Sequence, residues 1–205
     1  MNSKYIRWAV IGGVILIVFL WIRGSYNGLV REDVTVQTAW SNVETQYQRR
    51  YDLIENLAKT VLKAAKTEGK ILKDVIEARA QATSVKIDAS SLTEENMAKF
   101  EAAQARASQS LNSSLSRLMV VSEQYPDLKS VPQFAKLNDE IAGTENRIGT
   151  ARTDFNQAVM NYNLRVRSFP SNIFANMFGF QQKAAFKATE GSDKAPDLDK
   201  IYDKE

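Results

Sequence analysis

The fold is decided by residues 36–64, which read VQTAWSNVETQYQRRYDLIENLAKTVLKA. Apolar side chains return in this stretch at alternating steps of four and three residues, and Arg50 is the one exception. The apolar positions are Val36, Trp40, Val43, Tyr47, Ile54, Leu57, Val61 and Ala64. This period places them on one narrow face of a helix, the pattern that packs helical bundles and coiled coils. Because no proline precedes Pro126, long uninterrupted helices are predicted through the first half of the chain.

Upstream of this stretch lies an uncharged run, Trp8 to Ile22, bracketed by Arg7 and Arg23. A helix of this length reaches about 25 Å with the adjoining Arg7, which is short but sufficient for a membrane span. The predicted span residues are Trp8, Ile11, Val14, Leu16, Phe19, Trp21 and Ile22. A cleaved signal peptide is the alternative, but the run ends in Trp21-Ile22-Arg23 and offers no small-residue cleavage site. We therefore predict a single-pass anchor with its juxtamembrane segment over residues 1–28.

Two further amphipathic helices are predicted downstream, one ending at Pro126 and one at Pro170. Their core positions keep the same spacing: Met97, Phe100, Gln104, Ala107, Leu111, Ser114, Leu118, Val121 and Tyr125 in the first, and Phe134, Leu137, Ile141, Thr144, Ile148, Ala151, Phe155, Ala158 and Tyr162 in the second. Capping boxes at Ser91–Glu94 and Ser130–Gln133 are expected to start them. The sequence thus predicts an all-α protein: a transmembrane helix, then a bundle of long antiparallel helices over residues 29–180.

Glycines and the composition of the C-terminal residues indicate where the predicted helices are interrupted and where the bundle ends. Gly69 is expected to interrupt the first helical region, and Gly143 and Gly149 indicate either a bend or a close backbone contact. Residues 181–205 are mostly polar with mixed charge, so we expect a disordered tail there.

Composition narrows the function classes. The 205 residues include no Cys and no His, which excludes thiol nucleophiles, thiolate metal sites, Ser-His-Asp triads and His-ligated zinc. Carboxylate dimetal sites in bundles normally use a Glu-x-x-His motif, which needs histidine. The net charge of +3 is too small for a nucleic-acid-binding face. We therefore predict no enzymatic activity, no catalytic residue, no cofactor or metal site and no nucleic-acid partner.

Several collinear stretches between residues 5 and 180 resemble the LemA family. They are Ser25–Val30, Arg49–Ile54, Asn56-Leu57, Glu77–Ala80, Gly143–Ile148, Phe155–Val159, Tyr162-Asn163, Phe169-Pro170 and Phe178–Phe180. The resemblance implies a bacterial, N-terminally anchored helical bundle with no established enzymatic activity. It also implies a class-level link to magnetosome membrane formation and to membrane proteases, since members of the family are associated with both. Glu55 departs from the proline that is common in the family, so the first helix is expected to continue through that position.

Three groups of residues are candidate interaction surfaces. A helical stripe of lysines is either a solvated face or an electrostatic contact with an acidic partner or anionic lipid: Lys59, Lys63, Lys66, Lys70 and Lys73. Aromatic residues near Pro170 and Gly179 either cap the bundle or form an apolar docking patch: Phe169, Phe174, Phe178 and Phe180. Polar residues of the family-like stretches form either a binding surface or interhelical pairs: Asn27, Arg49, Arg50, Asp52, Glu145, Asn146 and Arg147. Arg50 needs an acidic partner from a neighbouring helix, because an unpaired buried charge is costly.

Two functions fit these observations. The first is a membrane-anchored scaffold that self-associates into a homo-oligomer or organises the bacterial envelope. The second is an adaptor or regulator that presents its helical surface to a membrane protease or signalling protein. The expected location is the inner (cell) membrane, and the charges around the span only slightly favour an extracytoplasmic bundle.

Overall fold

The computed structural model describes residues 3–65, 70–125 and 132–187, and within these ranges the protein is all-α, as predicted. The described residues form six helices. They are α1 (Ser3–Ala65), α2 (Lys70–Ser84), α3 (Glu94–Gln124), α4 (Pro132–Ala142), α5 (Thr144–Arg167) and α6 (Ser171–Met177). Helix α1 runs through Glu55 without a break, as the absence of the family proline predicts.

The helices form an up-down-up-down bundle in which α4 and α5 together make the fourth element. Contacts at two levels show the directions. Trp40 meets Phe155 and Arg50 meets Glu145, so α1 and α5 are antiparallel. Asp74 meets Arg117 and Ala82 meets Gln104, so α2 and α3 are antiparallel. Glu101 meets Arg152 and Asn112 lies beside Glu145 at Arg50, so α3 and α5 are antiparallel.

The core lies along the face of α1 that the spacing predicts. Val36, Trp40, Val43, Ile54 and Leu57 are at most 1% exposed. The Trp40 ring is the centre of an aromatic cluster, with ring centroids of Phe100, Phe155 and Phe186 4.9, 5.3 and 6.0 Å away. The predicted core positions of α5 are likewise buried, from Thr144 to Tyr162. Burial of this face against three neighbouring helices stabilises the bundle, since each large apolar side chain removed from water contributes about 1.5–3 kcal/mol.

The end of α3 departs from the predicted core positions. Ser122 is buried, whereas Val121 is half-buried and Tyr125 is exposed. Tyr125 lies beyond the last turn, where the backbone leaves helical geometry. A strict four-three spacing drifts around a straight helix of 3.6 residues per turn, so the core face has moved by one residue at this end.

The two predicted capping boxes have different outcomes. Helix α3 begins two residues later than the first box implies, because Thr93 is the N-cap and its side chain accepts a hydrogen bond from the Asn96 amide at 3.2 Å. Ser91 instead accepts from the Asn96 side chain. For the second box, Pro132 is the first residue of α4, as predicted, whereas Ser130 lies outside the described residues.

Gly143 marks the bend between α4 and α5. Because glycine has no side chain, there is room for the Arg147 guanidinium, which lies 2.8 Å from the position that a Cβ would occupy. The guanidinium also donates a hydrogen bond to the Glu140 carbonyl at 2.8 Å. Gly149 has no atom within 4 Å of that position, so it makes no close backbone contact with a neighbouring helix.

Residues 181–187 pack on the bundle, which corrects the predicted boundary after residue 180. Lys183 and Phe186 are buried, and Phe186 belongs to the aromatic cluster around Trp40. The prediction missed this because the segment is polar on average, although its one large apolar residue anchors it in the core. Residues 188–205 of the expected tail lie outside the described residues.

Candidate functional site

Helix α1 is the one helix among the described residues whose length and composition allow it to cross a membrane. Its apolar N-terminal part stands clear of the bundle. Trp8, Ile11, Val14, Leu16, Phe19 and Trp21 are exposed, and Ile22 is half-buried where the bundle begins. Because an apolar surface of this extent is unfavourable in water, a lipid environment is the one that suits it.

Three of the four aromatic residues near Pro170 pack against α1 where the apolar run ends, whereas Phe169 is exposed. The Phe174 ring meets Trp21 edge-on at 5.2 Å, and the rings of Phe178 and Phe180 lie 5.0 and 6.0 Å from Tyr26. Phe174 is buried, Phe180 is half-buried and Phe178 is exposed. The aromatic set therefore covers the side of α1 at the junction between span and bundle.

The lysine stripe does not lie on one continuous helix, because α1 ends at Ala65 and α2 turns back beside it. Lys59 and Lys63 are exposed at the end of α1, and Lys70 and Lys73 are exposed at the start of α2. Lys66 lies outside the described residues. Lys59 also contacts Glu55 at 2.6 Å. With α1 unbroken, Lys59 is about 54 Å from Arg23 along the helix axis, so this end of the bundle lies far from the span.

Arg50 occupies a core position of α1 at 5% exposure and finds its acidic partner on α5. One guanidinium nitrogen pairs with the Glu145 carboxylate, and the other donates to the Asn112 side-chain oxygen at 3.1 Å. Glu145 belongs to the family-like stretch Gly143–Ile148. The pair therefore fixes the register of α1 against both α3 and α5, which is the interhelical role considered for the motif residues.

Other motif residues make similar links between helices. Arg49 pairs with Glu140 at 3.3 Å, and Asp52 pairs with Arg79 at 2.9 Å. Asn27 and Asn146 are exposed, as are Arg49 and Glu145 of the pairs above. Most of the polar motif residues thus hold helices together.

Sequence reasoning missed the role of two asparagines in the stretch Phe155–Asn163. Asn163 forms two hydrogen bonds with the backbone of Lys183, at 2.8 and 2.9 Å. Asn156 does the same with the backbone of Phe186, at 3.2 and 2.9 Å. Their seven-residue spacing puts both amides on one face of α5, two turns apart, and this spacing was the available signal. Together they hold residues 183–186 in an extended course along the helix.

Lys183, also missed, connects three parts of the fold from an 8% exposed position. Its ammonium contacts Asp33 of α1 at 2.6 Å, donates to the Ala89 carbonyl at 2.9 Å and lies 5.2 Å from the centre of the Tyr162 ring. Burial, with a smaller contribution from Asp33, raises the pKa of Tyr162 to about 12. The Tyr162 hydroxyl donates to the Gln181 carbonyl at 2.9 Å, so it remains a neutral donor at neutral pH.

A second buried polar group bridges α1 and α2. The Tyr51 hydroxyl donates to the Gln104 side-chain oxygen, and the Gln104 amide donates to the Ala82 carbonyl at 3.3 Å. Burial is the main cause that raises the pKa of Tyr51 above its ordinary value. Both side chains therefore make structural hydrogen bonds between helices.

A surface cleft of about 540 Å³ lies between α1, α3 and α5. Its charged lining is internally paired, since Arg50 meets Glu145 and Arg152 meets Glu101 at 3.3 Å. Over the described residues, no group of three or more acidic side chains converges as a metal site would require. The cleft therefore offers a surface of neutralised charges.

Comparison with known proteins agrees with the resemblance seen in the motifs. Relatives include two magnetosome proteins: MamQ 2 of Paramagnetospirillum magneticum, 29% identical over 181 residues, and MamQ of Magnetospirillum gryphiswaldense, 26% identical. Each match covers 82% of this chain and 66% of the relative, so the chain spans just under two thirds of their length. Protein LemA of Metamycoplasma hominis is 22% identical over 82% of this chain and 71% of its own. A model of the LemA family matches residues 39–199, and the chain therefore belongs to the LemA family.

Proposed function

We propose that this protein is a membrane-anchored, non-enzymatic scaffold that self-associates and helps to organise the bacterial envelope. The observation that carries the proposal is the continuity of α1 from Ser3 to Ala65. One helix supplies the apolar span and also the central core face of the bundle. A bundle built on the same helix as its anchor keeps a fixed direction relative to the membrane, and identical copies would present identical surfaces to one another.

Two further observations support a structural role. The buried charged groups Arg50 and Lys183 are paired within the bundle, with Glu145 and Asp33 respectively. Relatives include proteins named for the magnetosome, which accords with a role in organising a membrane. As part of the proposal, the protein lies in the inner membrane with one span, and its bundle lies outside the cytoplasm.

The test is the native mass of the full-length protein in lipid nanodiscs and in detergent over a range of protein concentrations. Scaffolding predicts a discrete homo-oligomer that persists on dilution. A matched variant, Gly12→Leu with Gly13→Leu, shows whether the span contributes to assembly, since both glycines are open to lipid. A strictly monomeric protein under all conditions would reject self-association.

An adaptor function is a second candidate, because the exposed lysines lie at the end of the bundle far from the span. Lys63, Lys70 and Lys73 would meet an acidic surface of another membrane protein rather than the lipid around their own anchor. Cross-linking in native membranes from exposed positions beside these lysines tests it. Capture of a defined membrane protein, abolished by changing the three lysines to glutamine, is expected, whereas recovery of self-pairs only would reject the adaptor.

A further inference from the structure

The bundle surface beside the membrane span combines exposed apolar side chains with an unusual distribution of charge. No Asp or Glu occurs in residues 1–31 or 155–187, although 24 acidic residues occur in the chain. The same ranges contain five arginines, of which Arg7, Arg23, Arg31 and Arg167 are exposed. Lys183 and Lys187 of the second range pair with Asp33 and Glu94, whereas Arg23 and Arg167 have no acidic residue in their own stretches of sequence.

The apolar side chains lie at the corner between α5 and α6. Phe169 is 80% exposed, Ile173 54% and Met177 61%. Ile173 and Met177 are four residues apart, so both point from the same face of α6, and Phe169 precedes that face at the corner. On the opposite side of α6, Phe174 and Ala175 are buried against the bundle. Helix α6 thus has one face on the protein and one apolar face turned away from it.

The height of this corner relative to the membrane follows from contacts with α1. Helix α5 runs beside α1 toward the span. Its Phe155 packs against Trp40, and its Arg165 guanidinium packs over Gly28, which is closer to the span. The corner follows two residues after α5 ends at Arg167. Phe174 then touches Trp21, which is about 3 Å before Arg23 along the helix axis and inside the apolar run. The corner therefore lies level with the end of the span.

We propose that the α5–α6 corner is a second membrane contact, in which Phe169, Ile173 and Met177 enter the interfacial layer of the bilayer that α1 crosses. Lipid is the occupant that fits, since the surface adjoins the span itself and aromatic and apolar groups at this depth suit the interface. Arg23 and Arg167 are placed to meet lipid phosphates. A second copy docked face to face on the corner would instead bring its own arginines against these. The contact would fix the rotation of α1 about its axis, with α6 lying on the membrane surface.

This inference needs the membrane span of the proposed function but does not need self-association.

The absence of cysteine permits single nitroxide labels in the full-length protein. Ile173→Cys reports the corner. Met160→Cys is the matched control, because Met160 is an exposed apolar residue of α5 farther from the span, and Leu16→Cys reports the span itself. The labelled proteins are placed in nanodiscs of phosphatidylcholine and phosphatidylglycerol, and collisions with oxygen and with a water-soluble nickel chelate are compared.

The label at residue 173 is expected to show more oxygen collisions and fewer chelate collisions than the label at residue 160. Its values should lie between those of residues 160 and 16, because residue 16 is near the middle of the span and the corner is in the interfacial layer. Adding Phe169→Ser and Met177→Ser to Ile173→Cys should shift the label toward the residue 160 pattern. Frequent chelate collisions at residue 173 in the parent would place the corner in water and overturn the proposal. Protection from both reagents would indicate coverage by protein, such as a second copy, and would overturn it too. If the label at residue 16 is itself in water, the span has failed, and the corner contact fails with it.

Discussion

Arg50 is a charged residue at a core position of α1, and its surroundings explain why the bundle accepts it. The guanidinium is buried, yet its partner Glu145 is 63% exposed, so the carboxylate keeps much of its hydration. An arrangement of this kind avoids most of the desolvation cost of a fully buried pair. The exposure of Glu145 also limits how much this ion pair can stabilise the fold.

Replacing Glu145 with glutamine should lower the free energy of unfolding by about 1 kcal/mol, because Arg50 loses its countercharge but keeps the Asn112 oxygen and a neutral acceptor. Thermal melting of the full-length protein in a nonionic detergent, followed by circular dichroism, measures the change. Asp154→Asn is the control, since Asp154 is exposed on the same helix. Equal melting temperatures for the two variants would mean that the pair contributes nothing.

Glu55 gives the fold a pH dependence. The hydrogen bond from Lys59, followed by that from Arg79 at 2.5 Å, holds the pKa of Glu55 below its ordinary value of 4.5 against the opposing effect of burial. Since the folded state lowers this pKa, the stabilisation is fully present above about pH 4.5. It is lost as the pH falls through the lower folded-state value.

Glu55→Gln should therefore destabilise the protein by about 1 kcal/mol at neutral pH, and the difference from the parent should shrink as the pH falls below 4.5. Melting curves of both proteins at a series of pH values test this sign. Glu77→Gln, at an exposed acid of α2, serves as the control. A difference in stability between Glu55→Gln and the parent that grows as the pH falls would contradict this pH dependence.

At the scale of elements, the segment 181–187 is held by side chains and not by a helix or strand of its own. Two asparagine amides on α5 each bond both the N–H and the C=O of one residue in the segment, which satisfies its backbone without regular secondary structure. Phe186 then fills the core beside Trp40. The segment thereby closes the side of the bundle between α3 and α5.

Asn163→Ala should release the Lys183 end of the segment, since two hydrogen bonds are lost and the part-buried N–H and C=O of Lys183 lose this partner. The expected loss is about 1–3 kcal/mol. Hydrogen exchange followed by mass spectrometry should show faster exchange over residues 181–187 with little change in α2. Asn161→Ala, an exposed amide on the same helix, should leave the exchange pattern unchanged. Protection retained in Asn163→Ala would show that the other contacts of the segment hold it without Asn163.

For the whole molecule, the main consequence of the fold is that the apolar N-terminal part and the bundle are joined by one continuous helix. Helix α1 enters the bundle directly from the span and packs on α2, α3, α4 and α5. No hinge interrupts it between residues 3 and 65, so any rotation of the span turns the bundle with it.

Nitroxide labels at Val18→Cys and Thr45→Cys should give one narrow distance distribution centred at about 40 Å, the length of 27 helical residues. Both positions are exposed, so the labels should not disturb the core. Pulsed electron spin resonance in nanodiscs measures the distance. Thr35→Pro in the same protein should broaden the distribution, because it removes a helical hydrogen bond at an exposed position between the labels. A broad distribution in the parent would mean that the bundle swings freely on its anchor.

Most of the architecture is determined by the sequence alone, because periodicity and composition act locally along the chain. The four-three spacing in residues 36–64 determined a helix and its buried face, and the uncharged run before Arg23 determined where the candidate span lies. The motifs determined the family. Because these 205 residues contain no Cys and no His, they supply no thiol and no imidazole side chain.

Only the tertiary structure decided which residues meet across the bundle. Arg50 could be recognised as a charge needing a partner, but Glu145 is 95 residues away and many other acids were available. The lysine stripe was divided because α2 folds back on α1, and the segment 181–187 was ordered by amides on a neighbouring helix. Such contacts depend on how helices are placed beside one another, and periodicity within one helix carries no information about that placement. For the same reason, the position of the exposed α6 face beside Trp21, on which the second membrane contact rests, became visible only in three dimensions.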